Sequence, residues 1–353
     1  MDDFVKNFEI YNDLEKCLVM LEKYKSIKVF VKNTTHKNEI LPIISKFCGN
    51  VNLVMSENAL HVEVDNIPNS GEEIVVSYGD GETTDIAKFY ACSYGEDVIA
   101  ILTGEYYDYT FSKFALISDG VTFNFYNTTS PIAFFVKSGS VSEEMIAYIK
   151  AKSIEYFDFC VNEILLQDKI NDDAKQFFKN TIFELRLENF SEKSIIKAFL
   201  RLGMAMTFYD TTKYFCFGYF DLFCLLKTLK IDEKCKVACD MIIKVYKTCF
   251  KYRISCGQVN MNSVINKLAK LLGVPCFSVM KIINKLPDLE NRKGQVIKIN
   301  AYKEYLQTLL YRLMVTIKPY NKKTNAKIVS LASFLSHRKS LLKTLCEIGM
   351  LKV

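Results

Sequence analysis

Gly79-Asp80-Gly81 stands between an apolar run, Ile74-Val-Val-Ser-Tyr78, and an apolar helical pattern that restarts at Ile86. A strand, a tight turn and a helix succeed one another with that spacing. Two glycines let backbone N–H groups approach a phosphate closely, and the helix after them presents the positive end of its dipole. An ordinary strand-to-helix turn carries the same residues, so the stretch admits both readings. Other chemistry is thinly represented. His36, His61 and His337 are the three histidines of the chain, no His-x-x-x-His pair occurs, and each suits a surface or structural position. The Gly-x-Ser-x-Gly nucleophile signature is absent, which leaves acid–base work to carboxylates, lysines and tyrosines.

The elements that would position these residues are legible from periodicity. Residues 10–25 carry Leu14, Cys17, Leu18 and Leu21 at helical spacing and lead into a β-branched strand over Ile27–Val31. A helical stretch around Ile40–Phe47 and a second strand at Val51–Met55 come next. The Ile74 strand with its turn and helix is third, and then a buried strand at Asp97–Thr103. Strands alternating with helices imply a parallel sheet with helices on both faces. Ligands of such sheets sit beyond the carboxyl ends of the strands, where Asn33, Gly79 and Thr103 fall. Residues 114–126 alternate around Asp119-Gly120, a hairpin signal, and a strand from Pro131 to Val136 closes this half.

From Ser142 onward the pattern turns helical, with stripes through Ile146–Phe157, Phe177–Leu187, Ile195–Met206 and Leu222–Leu229. Pro275, Pro287 and Pro319 interrupt it at intervals that suit connections between helices. The expected architecture is an α/β domain with a Rossmann-like parallel sheet over residues 1–150 and an all-α domain over residues 151–353.

Composition agrees with a folded chain. A length of 353 residues and a hydrophobic content of 50% allow two or three domains with well-formed cores. The twelve cysteines are scattered without a Cys-x-x-Cys pair, and the N-terminus lacks the pattern of a signal peptide, so reduced cytoplasmic thiols are expected. No apolar run reaches the ~20 residues that span a bilayer, and no membrane association is expected. Residues 1–150 hold 12 basic and 22 acidic residues, net −10, whereas residues 151–353 hold 34 and 18, net +16. A basic half suits a phosphorylated substrate or nucleic acid, but spread lysines with aromatic residues at core spacing read as solvated helix faces, so nucleic acid is not the expected partner.

Gly79-Asp-Gly-Glu-Thr-Thr-Asp85-Ile-Ala-Lys88 resembles the Gly-Gly-Gly-x-x-x-Asp-x-x-Lys motif of the dehydroquinate synthase and iron-containing alcohol dehydrogenase superfamily. Within it, the chain looks most like the glycerol-1-phosphate dehydrogenase and glycerol dehydrogenase branch. Thr103-Gly-Glu-Tyr-Tyr-Asp108 takes the place of that family's Thr-x-x-Ser-x-Asp segment. The Ser118-Asp-Gly120 hairpin, the Thr129–Val136 strand and Leu202-Gly-Met-Ala-Met206 come in the family's order. The resemblance implies a dehydroquinate synthase-like fold, NAD or NADP in the first domain, and a divalent metal such as zinc held by one Asp and two His. The metal would polarise the hydroxyl or carbonyl of a small polyol or polyol phosphate during hydride transfer. On that analogy Gly79, Asp80, Gly81, Asp85 and Thr103 form the cofactor site, and Asp108 lies near the substrate as the catalytic candidate. A homo-oligomer is also among the expectations.

The sequence departs from the family at several of these positions. No histidine occurs between His61 and His337, so both helical His ligands are replaced. The corresponding positions leave Asp158, Asp221 and Cys235, a set that could bind zinc or could consist of two helix-surface carboxylates and a core thiol. Asp80 replaces the middle glycine, and a carboxylate facing a pyrophosphate is unfavourable unless it points away. Tyr106 and Tyr107 stand where small residues would line a dinucleotide. These residues are compatible with three functions: an NAD(P)-dependent polyol dehydrogenase with an altered metal set, a catalytically degenerate relative that binds a nucleotide, phosphate ligand or protein partner, and an enzyme of the same fold with another reaction.

Overall fold

A computed structural model describes residues 9–11, 13–56, 64–118, 123–149, 152, 171–209, 222–224, 226–227, 234–235, 237–238, 261–272 and 275–285. The chain divides into two compact units, residues 1–146 with 180–211, and residues 147–179 with 212–353. The return of residues 180–211 to the first unit has no signature in the sequence, because it depends on what that segment packs against.

In the first unit, β1 (Glu9–Tyr11), β2 (Ser26–Val31), β3 (Asn50–Met55), β4 (Ile74–Gly79), β5 (Asp97–Leu102) and β8 (Ala133–Val136) form one sheet in the order β1-β8-β5-β4-β2-β3. Every pairing in it is parallel. The crossovers include α1 (Leu14–Leu18), α2 (Thr34–Ile44) and α3 (Gly81–Tyr94). β6 (Phe114–Ser118) and β7 (Phe123–Asn127) pair antiparallel as a separate ribbon. The Asp119-Gly120 turn expected between them lies outside the described residues. The N-terminal helical pattern begins later than its apolar spacing suggests, because Asp13 caps α1 through bonds from the Glu15 and Lys16 N–H groups and leaves residues 9–11 to pair with β8.

Both faces of the sheet are covered, as its uninterrupted apolar strands require. Along β2, alternate side chains go to opposite faces. Ile27, Val29 and Val31 meet Leu18, Ile40 and Ile44 on one side, and Phe30 joins Ile86 and Tyr90 on the other. Lys28 shares the Phe30 face, fully buried, with its ammonium 2.7 Å from the Tyr90 hydroxyl and 3.3 Å from the Glu72 carboxylate. The register of β2 with β4 sets Val31 beside Tyr78, which brings Lys32 next to Gly79 at the carboxyl edge.

A buried ion pair fastens α3 to the connection between β5 and β6. Asp85 and Lys88, one helical turn apart, lie 2.8 Å from each other and are sealed from solvent. Lys88 also donates to the carbonyls of Tyr109, Thr110, Ser112 and Phe114, while Asp85 accepts from the Leu116 N–H at 3.0 Å. Burial pulls the Lys88 ammonium below its ordinary value, against the attraction of Asp85. The 3-10 turn Asp108–Phe111 and the start of β6 are thereby tied to α3.

Two long helices come next, α4 (Asp172–Leu187) and α5 (Glu192–Tyr209), and α5 packs on the Asp108–Phe111 turn. Contact is so close that a Cβ built at Gly203 would clash with the Asp108 carbonyl oxygen. In the second unit, α6 (Met261–Leu272) and α7 (Cys276–Lys285) are helical, and no strand occurs beyond Val136 among the described residues. No helix among the described residues is long and apolar enough to cross a membrane.

Two stability measurements test this packing. Lys88→Met should cost about 3–5 kcal/mol in urea unfolding, since it strands a buried carboxylate, and the Asp85→Leu/Lys88→Met double variant should cost less than Lys88→Met alone. Gly203→Ala should cost about 1–3 kcal/mol by the same assay, because the backbone at Asp108 must yield. A midpoint equal to that of the wild type in either single variant would contradict these assignments.

Candidate functional site at the glycine turn

Parallel strands place the ends of β2, β4 and β5 side by side, so Lys32-Asn33, Gly79-Asp80-Gly81 and Thr103-Gly104 gather at one edge. Gly79 has a φ of +157°, and a Cβ there would meet the Thr83 hydroxyl at 2.9 Å and the Lys32 Cβ at 3.3 Å. The glycine is therefore required by the close passage of the chain itself.

Asp80 is the N-cap of α3. Its Oδ1 accepts from both the N–H and the hydroxyl of Thr83 at 3.0 Å, and Oδ2 accepts from the Lys32 ammonium at 2.6 Å. Burial by itself would raise the Asp80 carboxyl, but Lys32 and the Thr83 donors hold it below its ordinary value. Lys32 moves the opposite way: burial would lower it, and Asp80, with Glu82 and Glu105, raises it. The carboxylate thus fills the position at which a helix N-terminus would receive an external anion.

The second glycine is also closed from within. The Gly81 N–H donates to the Glu105 carbonyl at 2.7 Å, and a Cβ at Gly81 would meet the Thr110 hydroxyl at 2.7 Å and the Tyr106 Cα at 3.2 Å. Thr103 turns inward as well, its N–H and hydroxyl both bonding the Gly79 carbonyl. Loop 103–107 therefore lies on the turn rather than beside an open cradle. Tyr106 packs edge-on against Phe111 and Phe199, and Tyr107 against Phe199, both buried. Burial pushes the Tyr106 phenol well above its ordinary value, so it holds its proton near neutrality. The residues present at this turn do not fit a dinucleotide pyrophosphate, because the Gly81 and Thr83 N–H groups are engaged by the Glu105 carbonyl and the Asp80 carboxylate, and the Lys32 ammonium is already paired with that carboxylate.

The expected site residues sort by this geometry. Gly79, Asp80, Gly81 and Thr103 come together at the sheet edge. Asp85 faces the interior, paired to Lys88. Asp108 is 1% exposed beneath α5, with Oδ1 accepting from the Tyr109 N–H. Asn33 caps α2 by accepting from the His36 N–H and contacts the His36 ring. Asp158, Asp221, His61 and His337 lie outside the described residues. Cys235 is a buried thiol of the second unit. Among the described residues, no three His, Cys, Asp or Glu side chains cluster closely enough to hold a metal ion. Lys32 is not singled out by any motif; its position at the end of the strand beside β4 is the one signal that could have found it. The role of the Glu105 carbonyl has none, since any residue supplies one.

The opposed shifts of Asp80 and Lys32 set a pH window. A lowered carboxyl contributes stability above its unfolded value, 3.8, and loses it as pH falls through the lower folded value. A raised ammonium contributes below 10.5 and loses it as pH rises through the higher folded value. Asp80→Asn keeps a capping oxygen but removes the charge paired with the half-exposed Lys32, so it should lower the unfolding free energy between these limits by about 0.2–1 kcal/mol and flatten both limbs of its pH profile. Parallel profiles for variant and wild type would show that the pair is not coupled to folding.

No family model matches this sequence, and no curated protein matches it. Solved structures do match in fold. An archaeal halo-thermophilic alcohol dehydrogenase from a Red Sea brine pool is 13% identical, with 98% of this chain and 93% of that one covered at a TM-score of 0.54. The iron-containing alcohol dehydrogenase of Thermococcus thioreducens is 9% identical, with coverages of 93% and 90% and a TM-score of 0.54. A probable glycerol dehydrogenase of Sinorhizobium meliloti is 13% identical, with coverages of 93% and 96% and a TM-score of 0.51. The parallel-sheet α/β domain with its helices thus matches the fold of iron-containing alcohol and glycerol dehydrogenases.

Proposed function

We propose that this chain is a catalytically degenerate relative of the NAD(P)-dependent polyol dehydrogenases, a protein that keeps their α/β and all-α scaffold without hydride transfer and serves as a binding module. One observation carries the reading. In the 103–108 segment, which would line a dinucleotide and reach a substrate, Tyr106, Tyr107 and Asp108 are buried while residues 103–105 stay half-exposed, with the Glu105 carbonyl on the Gly81 N–H and Asp108 sealed under α5. A substrate-facing carboxylate needs contact with the reacting atoms, and a cofactor turn needs donors to spare. The missing helical histidines favour the same reading from the sequence side.

The second reading is a working NAD(P)-dependent polyol or glycerol-1-phosphate dehydrogenase with an altered metal set. It draws on the likeness of fold along nearly the whole chain and on the retained Gly79, Gly81, Asp85 and Lys88. Its ligands would be Asp158, Asp221 and Cys235, with zinc as the metal these donor types suit.

Metal analysis of the purified full-length chain, with NADH and NADPH titrated by fluorescence, separates the two. The first reading expects neither stoichiometric metal nor saturable binding. Saturable binding of either nucleotide together with a stoichiometric metal, released on Asp221→Ala or Cys235→Ala substitution, establishes the second and removes the first.

A further inference from the structure

We propose that the Asp80 carboxylate is a built-in anion that occupies the N-terminus of α3 and the ammonium of Lys32, so that this turn takes no external phosphate while Asp80 is in place. The proposal deepens the reading of a scaffold without hydride transfer and rests on it.

Three kinds of donor converge on the one carboxylate: the Thr83 N–H, the Thr83 hydroxyl and the Lys32 ammonium. A phosphate at a helix N-terminus takes a set of this kind, namely a backbone N–H, a hydroxyl and a cationic side chain. The surrounding chain is shaped around the carboxylate. A Cβ at Gly104 would come 3.3 Å from the Asp80 Cβ, and one at Gly79 would come 3.3 Å from the Lys32 Cβ. Charge argues in the same direction, because Lys32 also feels Glu82 and Glu105, and a second anion beside three carboxylates is repelled. An aspartate that served only as a helix cap would need the Thr83 N–H alone. The 2.6 Å contact to a lysine from the neighbouring strand is the additional feature that marks an anion position.

The test replaces the internal anion with an external one. In the full-length chain, Asp80→Gly vacates the carboxylate position and leaves Lys32 and Thr83 in place. The thermal unfolding midpoint of this variant should rise with inorganic phosphate and saturate, relative to chloride at matched ionic strength. The wild-type midpoint should not respond to phosphate beyond chloride. Adding Lys32→Met to Asp80→Gly should abolish the response. A wild type that responds as the variant does, or an Asp80→Gly protein with a flat response, overturns the proposal. Should Asp80→Gly fail to fold, Asp80→Ser keeps a capping oxygen, frees the ammonium and carries the same expected rise, whose absence is equally fatal. A flat response in the variants leaves the scaffold reading untouched, since NADH binding and metal content judge that reading separately.

Discussion

A fully buried ammonium has to be satisfied wherever it sits, and the way Lys88 is satisfied organises the first unit. Asp85 supplies the countercharge one turn earlier, and the carbonyls of Tyr109, Thr110, Ser112 and Phe114 surround the ammonium and share its remaining two donors. Those carbonyls belong to consecutive stretches of one connection. Fastening them to α3 fixes the course of the chain from the 3-10 turn into β6, and with it the place where loop 103–107 can run. The loop comes to rest on Gly81. A pair this deeply buried contributes less through its attraction than through the penalty for any arrangement that separates it.

The glycine turn obeys that constraint. A turn of this type can serve an external phosphate or the protein's own chain, and donors already engaged cannot do both. Here the Gly81 N–H faces the Glu105 carbonyl and the Thr83 N–H faces the Asp80 carboxylate. The glycines are still needed, because the approaching groups leave no room for a Cβ, but the groups that approach are Tyr106, Thr110 and Lys32. One backbone geometry therefore supports two uses, distinguished by the groups within hydrogen-bonding distance. A fold shared with alcohol dehydrogenases does not by itself decide which of the two uses the turn has.

Most of the α/β half was legible in the sequence. The strands at Ile27–Val31, Val51–Met55, Ile74 and Asp97 appear within a residue or two of their expected bounds, because the buried central strands are largely apolar runs between polar turns and the half-exposed edge strand Asn50–Met55 keeps its β-branched and apolar residues. The short edge strand Glu9–Tyr11 was not legible, since three residues carry no period and only β8 gives them a partner. The candidate site was half legible. Gly79, Asp80, Gly81 and Thr103 were placed at the strand ends by the parallel arrangement, whereas the inward course of Asp85 and the burial of Asp108 depend on contacts with segments remote in the chain, Leu116 for the first and Gly203 for the second.

Taken by itself, the sequence determined the alternation of strands and helices, the glycine turn at the end of β4, the change of charge between the two halves, and the absence of histidine between His61 and His337. Each is a property of local period or composition, and none depends on distant partners. The tertiary structure alone decided that Lys32 meets Asp80, that loop 103–107 closes over Gly81, and that residues 180–211 pack with the first unit. Strand order set the first of these, by placing β2 beside β4. The buried Asp85–Lys88 pair set the second, and the fit of Gly203 against Asp108 the third. Hydrogen bonds and close contacts between remote segments have no signature in residue spacing, so the turn's occupant became visible only once the chain was folded.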